Sequence, residues 1–305
     1  MNWLAKVVAY KVMSAIPGGA KLYHLSRIKI TRSLAPGRLR VEQKANIGME
    51  YFEELEKAGD SRRLLEGSHL DFGSGWHPTI PLLYYSLGCG RQFLFDAAPV
   101  LTGRLLDETI ATFLEIVNDP AWPYRNRIKR LPELQPGRPL AERLQAMGMS
   151  YAAPYNGKFP EISGSIDVVT STQVLYYIAR EQLKTSMESI SGCLKNGGYF
   201  FGKIHLDDEY AQADRKISRY NHLRYSPWVW ENLINSRLMS YNRLKACDYH
   251  TLLENAGLRI ERFEVEGPAS ADLEALRKVN VHPYFAHYSQ EELGAKHLTF
   301  LAAKP

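Results

Sequence analysis

Residues 68–81 read Ser68-His-Leu-Asp71-Phe-Gly73-Ser-Gly75-Trp-His77-Pro-Thr79-Ile-Pro81. A short apolar strand closes at Asp71 and Phe72, a turn with two glycines follows, and Thr79 opens a helix. Glycine suits such a turn because Gly73 and Gly75 can adopt positive φ and carry no Cβ, so a ligand can lie almost against the backbone. The acidic residue at the mouth of the turn, Asp71, favours a cationic or hydrogen-bond-donating ligand. A phosphate would call for free backbone N–H groups and commonly a lysine, and this stretch contains no lysine.

Further along, Gln92-Phe-Leu-Phe-Asp96 is a second apolar strand that ends in a carboxylate. From that position an acid can accept both hydroxyls of a ribose. Asp71-Phe-Gly-Ser-Gly followed by Asp96 resembles the first two motifs of class I S-adenosylmethionine-dependent methyltransferases. The longer string Leu70-Asp-Phe-Gly-Ser-Gly-Trp-His-Pro-Thr-Ile-Pro-Leu is similar to a bacterial branch found among sugar, glycan and natural-product methyltransferases. The resemblance implies S-adenosyl-L-methionine as cofactor and S-adenosyl-L-homocysteine as product. It places Asp71, Gly73, Ser74, Gly75, Trp76, Asp96 and Ala97 at the cofactor, with Asn156 near the adenine and Ser171 at the end of a later strand. One departure is His77, which stands where the family pattern has its third glycine.

The chain has 305 residues, 45% hydrophobic and 23% charged, which suffices for a sizeable buried core. Its three cysteines, Cys89, Cys193 and Cys247, are widely spaced and form neither a disulfide framework nor a Cys-x-x-Cys metal site. A reducing, cytoplasmic compartment fits them, as small buried residues. The net charge of +5 is unevenly placed. Lys6, Lys11, Lys21, Arg27, Lys29, Arg32, Arg38 and Arg40 precede the first acid, Glu42, which suggests an anionic partner surface. Within residues 2–16, Leu4, Val7, Val8, Val12 and Ile16 recur at helical spacing before Pro17-Gly-Gly. Lys6 and Lys11 make this segment too interrupted to span a bilayer, and it lacks a secretory cleavage pattern. A helix lying peripherally on a membrane, a lid, and a helix packed on the main domain are the three readings it leaves open.

Residues 42–58 predict an amphipathic helix with Ile47, Tyr51, Phe52 and Leu55 on its apolar face, and 101–117 a second. Strands are expected at 149–154, at 165–171 and after the turn Lys195-Asn-Gly-Gly, then at 258–265 and 297–302, with helices at 180–194 and 247–256. This alternation specifies an α/β, parallel, doubly wound sheet, and the resemblance implies a Rossmann-like sheet of seven strands, six parallel and an antiparallel last one. Its ligand is expected at the carboxyl ends of the strands. The expected division is an N-terminal helical arm over 1–63 and the main domain over 64–305, with 205–245 as a substrate-binding insertion.

That insertion holds Tyr220, Asn221, His222, Arg224, Tyr225 and Arg243, together with Trp228 and Trp230. Such a set suits a sugar-like or aromatic acceptor. Val281-His-Pro-Tyr-Phe-Ala-His-Tyr is a further segment that could return to the site. An alcohol nucleophile needs a base as the transition state forms. His205, at the expected end of the fifth strand, is the candidate, with Asp207 or Asp208 to orient its imidazole. Tyr176 and Tyr177 stand where many relatives have Glu-His, and serve as substrate contacts or as a catalytic phenol. A magnesium site from His205, Asp207 and Asp208 is the less favoured reading, and no metal is expected.

The expected activity is O-methylation of a small-molecule or glycan hydroxyl. The alternatives are methylation at nitrogen or carboxylate, and cofactor binding without catalysis. No nucleic-acid partner is expected, because Ala153-Pro-Tyr only echoes the Asn/Asp-Pro-Pro-Tyr/Phe motif of base aminomethylases. A homo-oligomer is left open.

Overall fold

The computed structural model describes residues 2–19, 35–155 and 160–305. Asn156 lies outside the described residues, so its expected place near the adenine is not addressed. Seven strands form one sheet: β1 (Ser68–Phe72), β2 (Arg91–Phe95), β3 (Met149–Ala152), β4 (Ile166–Thr172), β5 (Leu194–His205), β6 (Arg259–Glu266) and β7 (His297–Ala303). Their order is β3-β2-β1-β4-β5-β7-β6, with six parallel strands and the last antiparallel. This is the Rossmann-like sheet that the resemblance implies. The chain divides into two compact units.

One unit comprises Arg32–Thr172, Glu188–Phe201 and Ala303–Pro305. β1 runs parallel to β2 on one side and β4 on the other, and Asp71 pairs across to Leu94 and Thr170. β1 and β4 are buried along their whole lengths, as expected of central parallel strands covered on both faces. His69, in the middle of β1, is a polar residue in this core, bonded to Gln92 Oε1 at 2.9 Å and Thr170 Oγ1 at 2.8 Å. The helix Arg38–Lys57 begins before the expected residue 42 and buries Val41, Ala45, Met49, Phe52 and Leu55 along one face. It lies so close to the helix Thr79–Leu87 that a Cβ on Gly48 would come within 2.7 Å of Leu83.

The expected turn at Lys195-Asn-Gly-Gly belongs to β5 instead. Gly197 takes a φ of +73°, its N–H donates to Lys304 O at 2.7 Å, and Gly198 O accepts from Lys304 N–H at 2.9 Å. The last residues therefore pin this glycine pair into the sheet.

The other unit comprises Met1–Thr31, Gln173–Met187 and Gly202–Ala302. The N-terminal residues 1–63 thus fall partly in each unit. Here the helix Trp3–Ala15 buries Trp3, Val7 and Tyr10, and the Trp3 N–H donates to Asp214 Oδ2 at 3.0 Å. A second apolar centre joins Tyr220, Leu223, Leu276, Phe285 and Leu293. Phe285 comes from the 281–288 segment, which is therefore tied to the insertion, with His282 N–H donating to Leu223 O at 2.9 Å.

Candidate functional site

In the first unit β1 ends in the turn that the sequence marks. Gly73 and Gly75 adopt φ of +85° and +66°, a region that side chains with a Cβ avoid. Gly73 N–H donates to Phe95 O at 2.8 Å, and Ser74 N–H to the same oxygen at 3.2 Å. Gly75 N–H donates to Asp96 Oδ2 at 2.7 Å, and Ala98 N–H donates to Asp96 Oδ1 at 3.3 Å. Each Asp96 oxygen retains acceptor capacity beyond these bonds, so both ribose hydroxyls can still be received. Burial raises the Asp96 carboxyl above its ordinary range, and the N–H donors hold it back.

Asp71 is buried at the head of the turn. Thr170 Oγ1 donates to Asp71 Oδ1 at 2.9 Å, and Ser74 Oγ donates to the Asp71 backbone oxygen at 3.2 Å. Burial pushes the Asp71 carboxyl up to about 6, against the opposing field of Lys44. Lys44, on the helix Arg38–Lys57, was not legible as a site residue. Its ammonium is held below its ordinary range by burial, while Asp71 and Asp96 pull it up. Tyr151 is a second unanticipated part. Its hydroxyl accepts from Val100 N–H at 3.1 Å and donates to Ala98 O at 3.2 Å, which fixes the loop after Asp96.

These residues suit a nucleoside with an amino-acid tail. A Cβ on Gly75 would meet no atom nearer than Gly73 O at 3.9 Å, so the turn presents bare backbone. Ser171 Oγ is buried and has no hydrogen-bond partner among the described residues. Lys44 and Asp71 carry opposite charges and feel one another's field, the complement of a zwitterion. Trp76 is half-buried and Ala97 exposed beside the same turn.

The second unit holds the candidate acceptor residues. His205 closes β5, and its Nδ1 lies 3.9 Å from Asp207 Oδ1, too far for a hydrogen bond. The expected direct orientation of His205 by Asp207 is therefore corrected. Both atoms are buried without a hydrogen-bond partner among the described residues. Burial, His297 and Lys203 push His205 down to about 4, which keeps the imidazole neutral near pH 7. Burial raises the Asp207 carboxyl, with Arg219 opposing. The Tyr176 ring meets His205 edge-on with centroids 5.9 Å apart, and its hydroxyl donates to Glu209 Oε2 at 3.3 Å. Tyr177 is exposed and lies against Tyr176, with centroids 4.1 Å apart.

Asp208 is occupied differently from its expected roles. It caps the helix Glu209–Ala213, accepting from Tyr210 N–H at 2.7 Å, and it accepts from Tyr241 OH at 2.8 Å. Among the described residues no three His, Cys, Asp or Glu side chains gather as a metal site.

Several expected substrate residues are engaged within their own unit. The buried Tyr220 donates its hydroxyl to Gly294 O at 3.1 Å. Arg243 donates to His222 O at 3.0 Å and Tyr225 O at 2.7 Å, and stacks over the Trp230 and Phe285 rings at 4.7 and 5.0 Å. His222 Nε2 lies 3.3 Å from the buried Lys245 Nζ, and Asn221 Nδ2 donates to Asp208 Oδ2 at 3.4 Å. Each of these four side chains meets protein groups of its own unit. Arg224 is exposed and Tyr225 half-buried, and the two tryptophans part ways, Trp230 fully buried and Trp228 exposed.

No family model matches the chain, and no curated protein sequence matches it significantly. Solved structures to which the chain is similar include an S-adenosylmethionine-dependent methyltransferase from Mesorhizobium loti, at 15% identity and a TM-score of 0.43, covering 78% of this chain and 90% of that one. The N-methyltransferase NodS from Bradyrhizobium japonicum WM9, in complex with S-adenosyl-L-homocysteine, has 15% identity and a TM-score of 0.38, covering 83% and 88%. The [4+2]-cyclase SpnF has 13% identity and a TM-score of 0.43, covering 87% and 81%. Likeness of this degree transfers no residue role or reaction.

Proposed function

We propose that the protein transfers a methyl group from S-adenosylmethionine to a hydroxyl of a sugar, glycan or secondary metabolite. The observation that carries this reading is the Asp71–Gly75 turn hydrogen-bonded to the carboxylate of Asp96, in a sequence that resembles the methyltransferase motifs. Asp96 receives the ribose hydroxyls. Asp71 and Lys44 hold the ammonium and carboxylate of the amino-acid end. Ser74, Gly73 and Gly75 keep the backbone low enough for close approach, and Trp76 and Ala97 border the nucleoside. When bound, the cofactor supplies an electrophilic methyl group on a sulfonium.

On the acceptor side, His205 is neutral near pH 7 and can take a hydroxyl proton at Nδ1, with the Asp207 carboxylate 3.9 Å away to stabilise the imidazolium that forms. Tyr176 meets the imidazole edge-on and Tyr177 lies against Tyr176, so the pair limits how an acceptor can lie. Positioning supplies most of the rate in such a transfer, and proton removal a further factor. The low basicity of His205 favours one second reading. Carboxylate or amine acceptors demand little proton removal, so they match a weak base better than an alcohol does.

Calorimetry with S-adenosylhomocysteine tests the cofactor. Micromolar binding to the wild type that Asp96→Ala weakens at least tenfold, about 1.4 kcal/mol, is expected. A folded wild type that does not bind overturns the reading. Methyl transfer from labelled cofactor to a panel of glycosides, amines and carboxylates then separates the two acceptor classes.

A further inference from the structure

The helix Trp3–Ala15 is apolar on two sides. Trp3, Val7 and Tyr10 are buried within its unit. Leu4, Val8 and Val12 are 54%, 61% and 52% exposed, and Ile16 continues their line just past the helix end. Residues four apart sit above one another, so these side chains form a stripe along the axis.

The stripe is continued by another segment of the same unit. Lys11 Nζ donates to Asn232 O at 2.7 Å, and Asn232 Nδ2 donates to Trp228 O at 2.9 Å. These bonds bring the helix beside the turn that carries Trp228, 65% exposed, and the exposed Leu233. Exposed cations adjoin the two segments in sequence. Arg215 and Lys216 are exposed immediately after Asp214, whose carboxylate accepts the Trp3 N–H, and Arg224 and Arg237 are exposed on either side of the Trp228 turn in sequence. Glu231 is exposed in the same turn, where its carboxylate accepts from Asn235 Nδ2 at 2.9 Å. The chain carries no acid before Glu42.

We infer that this face docks on the surface of a bilayer containing anionic phospholipids. The aliphatic stripe and Trp228 enter the interfacial layer while the exposed cations meet head groups. An exposed indole and exposed aliphatic side chains, with exposed lysine and arginine nearby in the chain, are the chemistry of interfacial anchoring. A second copy of the chain is the poorer occupant, because a two-fold contact through this face would bring two sets of like charges together. The attachment is peripheral in kind, since no helix among the described residues is long and apolar enough to cross a membrane.

Co-sedimentation of the full chain with vesicles tests the inference. Phosphatidylcholine vesicles containing phosphatidylglycerol should bind at least tenfold more tightly than phosphatidylcholine alone, and added salt should weaken the binding. Val8→Glu and Trp228→Ser, on exposed positions, should each cut binding at least tenfold while leaving the melting temperature unchanged. Absence of binding to the anionic vesicles, or binding that both variants retain, overturns the inference. So does light scattering that shows a lipid-free dimer which Val8→Glu dissociates. None of these outcomes depends on the methyltransferase reading.

Discussion

The Gly75 amide donates to the Asp96 carboxylate across 2.7 Å, so the glycine turn after β1 and the end of β2 hold one another in place. The carboxylate thus has two tasks: to keep the turn in shape and, in the proposed function, to receive a ribose.

The two tasks can be separated by substitution. Asp96→Asn retains a carbonyl oxygen that can accept from Gly75, so its melting temperature should stay near that of the wild type. Its affinity for S-adenosylhomocysteine should fall about tenfold, as a charged acceptor becomes a neutral one. Asp96→Ala removes both functions and should also lose about 1 kcal/mol of stability. Paired calorimetry and thermal melts check this. An Asn variant that binds as well as the wild type would leave Asp96 with the structural task alone.

Lys44 gives a prediction with a sign in pH. A cationic ammonium needs Asp71 as a carboxylate, so affinity for S-adenosylhomocysteine should fall as pH drops through about 6, where Asp71 titrates. Lys44 opposes the burial that raises Asp71. In Lys44→Met that opposition is gone, the carboxyl rises further, and the midpoint of the affinity loss should move to higher pH. Affinity above the midpoint should itself fall about tenfold for the lost ion pair. Titrations between about pH 5 and 8 measure both effects, and an unchanged midpoint would separate Lys44 from Asp71.

What the sequence made legible follows from how local each feature is. Asp71, Gly73 and Gly75 form a turn within one short stretch, and β1, β2 and β4 are apolar runs long enough to recognise alone. Lys44 was not legible, because it faces Asp71 only after a separate helix packs against the helix Thr79–Leu87. Tyr220 and Arg243 show a related limit. Aromatic and cationic side chains in an insertion look alike whether they face a ligand or, as here, Gly294 O and the Trp230 ring. The spacing of His205 and Asp207 put them near one another but could not tell 3.9 Å from a hydrogen bond.

His205 should act without titrating near neutrality. Its conjugate acid is pushed to about 4, so the acceptor kcat/KM should show no inflection at the ordinary histidine pKa of about 6.5. His205→Gln should lower kcat by about 10²-fold or more and leave the KM for the cofactor unchanged. A pH–rate profile on the first acceptor found tests the point. A clear inflection near about 6.5 that disappears in His205→Gln would mean that the imidazole is more solvated than its surroundings imply.

His69 is buried within β1 and bears on folding. The ring is fully buried between Gln92 and Thr170, and burial pushes it down to about 4. The unfolded chain takes up a proton on this histidine below about 6.5, while the folded chain does not until about 4. The unfolded state therefore binds more protons in that window, and stability is lost as pH falls, at about 1.4 kcal/mol per pH unit. The total approaches about 3 kcal/mol by pH 4. His69→Gln does not titrate, so it should begin less stable at neutral pH, through imperfect hydrogen bonds, and lose less on acidification. Asp71 and Asp208, both pushed up to about 6, act in the opposite direction but are common to both proteins and cancel in the comparison. Urea unfolding of the two proteins across this range should show their stability gap narrowing steadily toward acid pH. A gap that stays constant would mean that the buried imidazole is already charged in the folded chain.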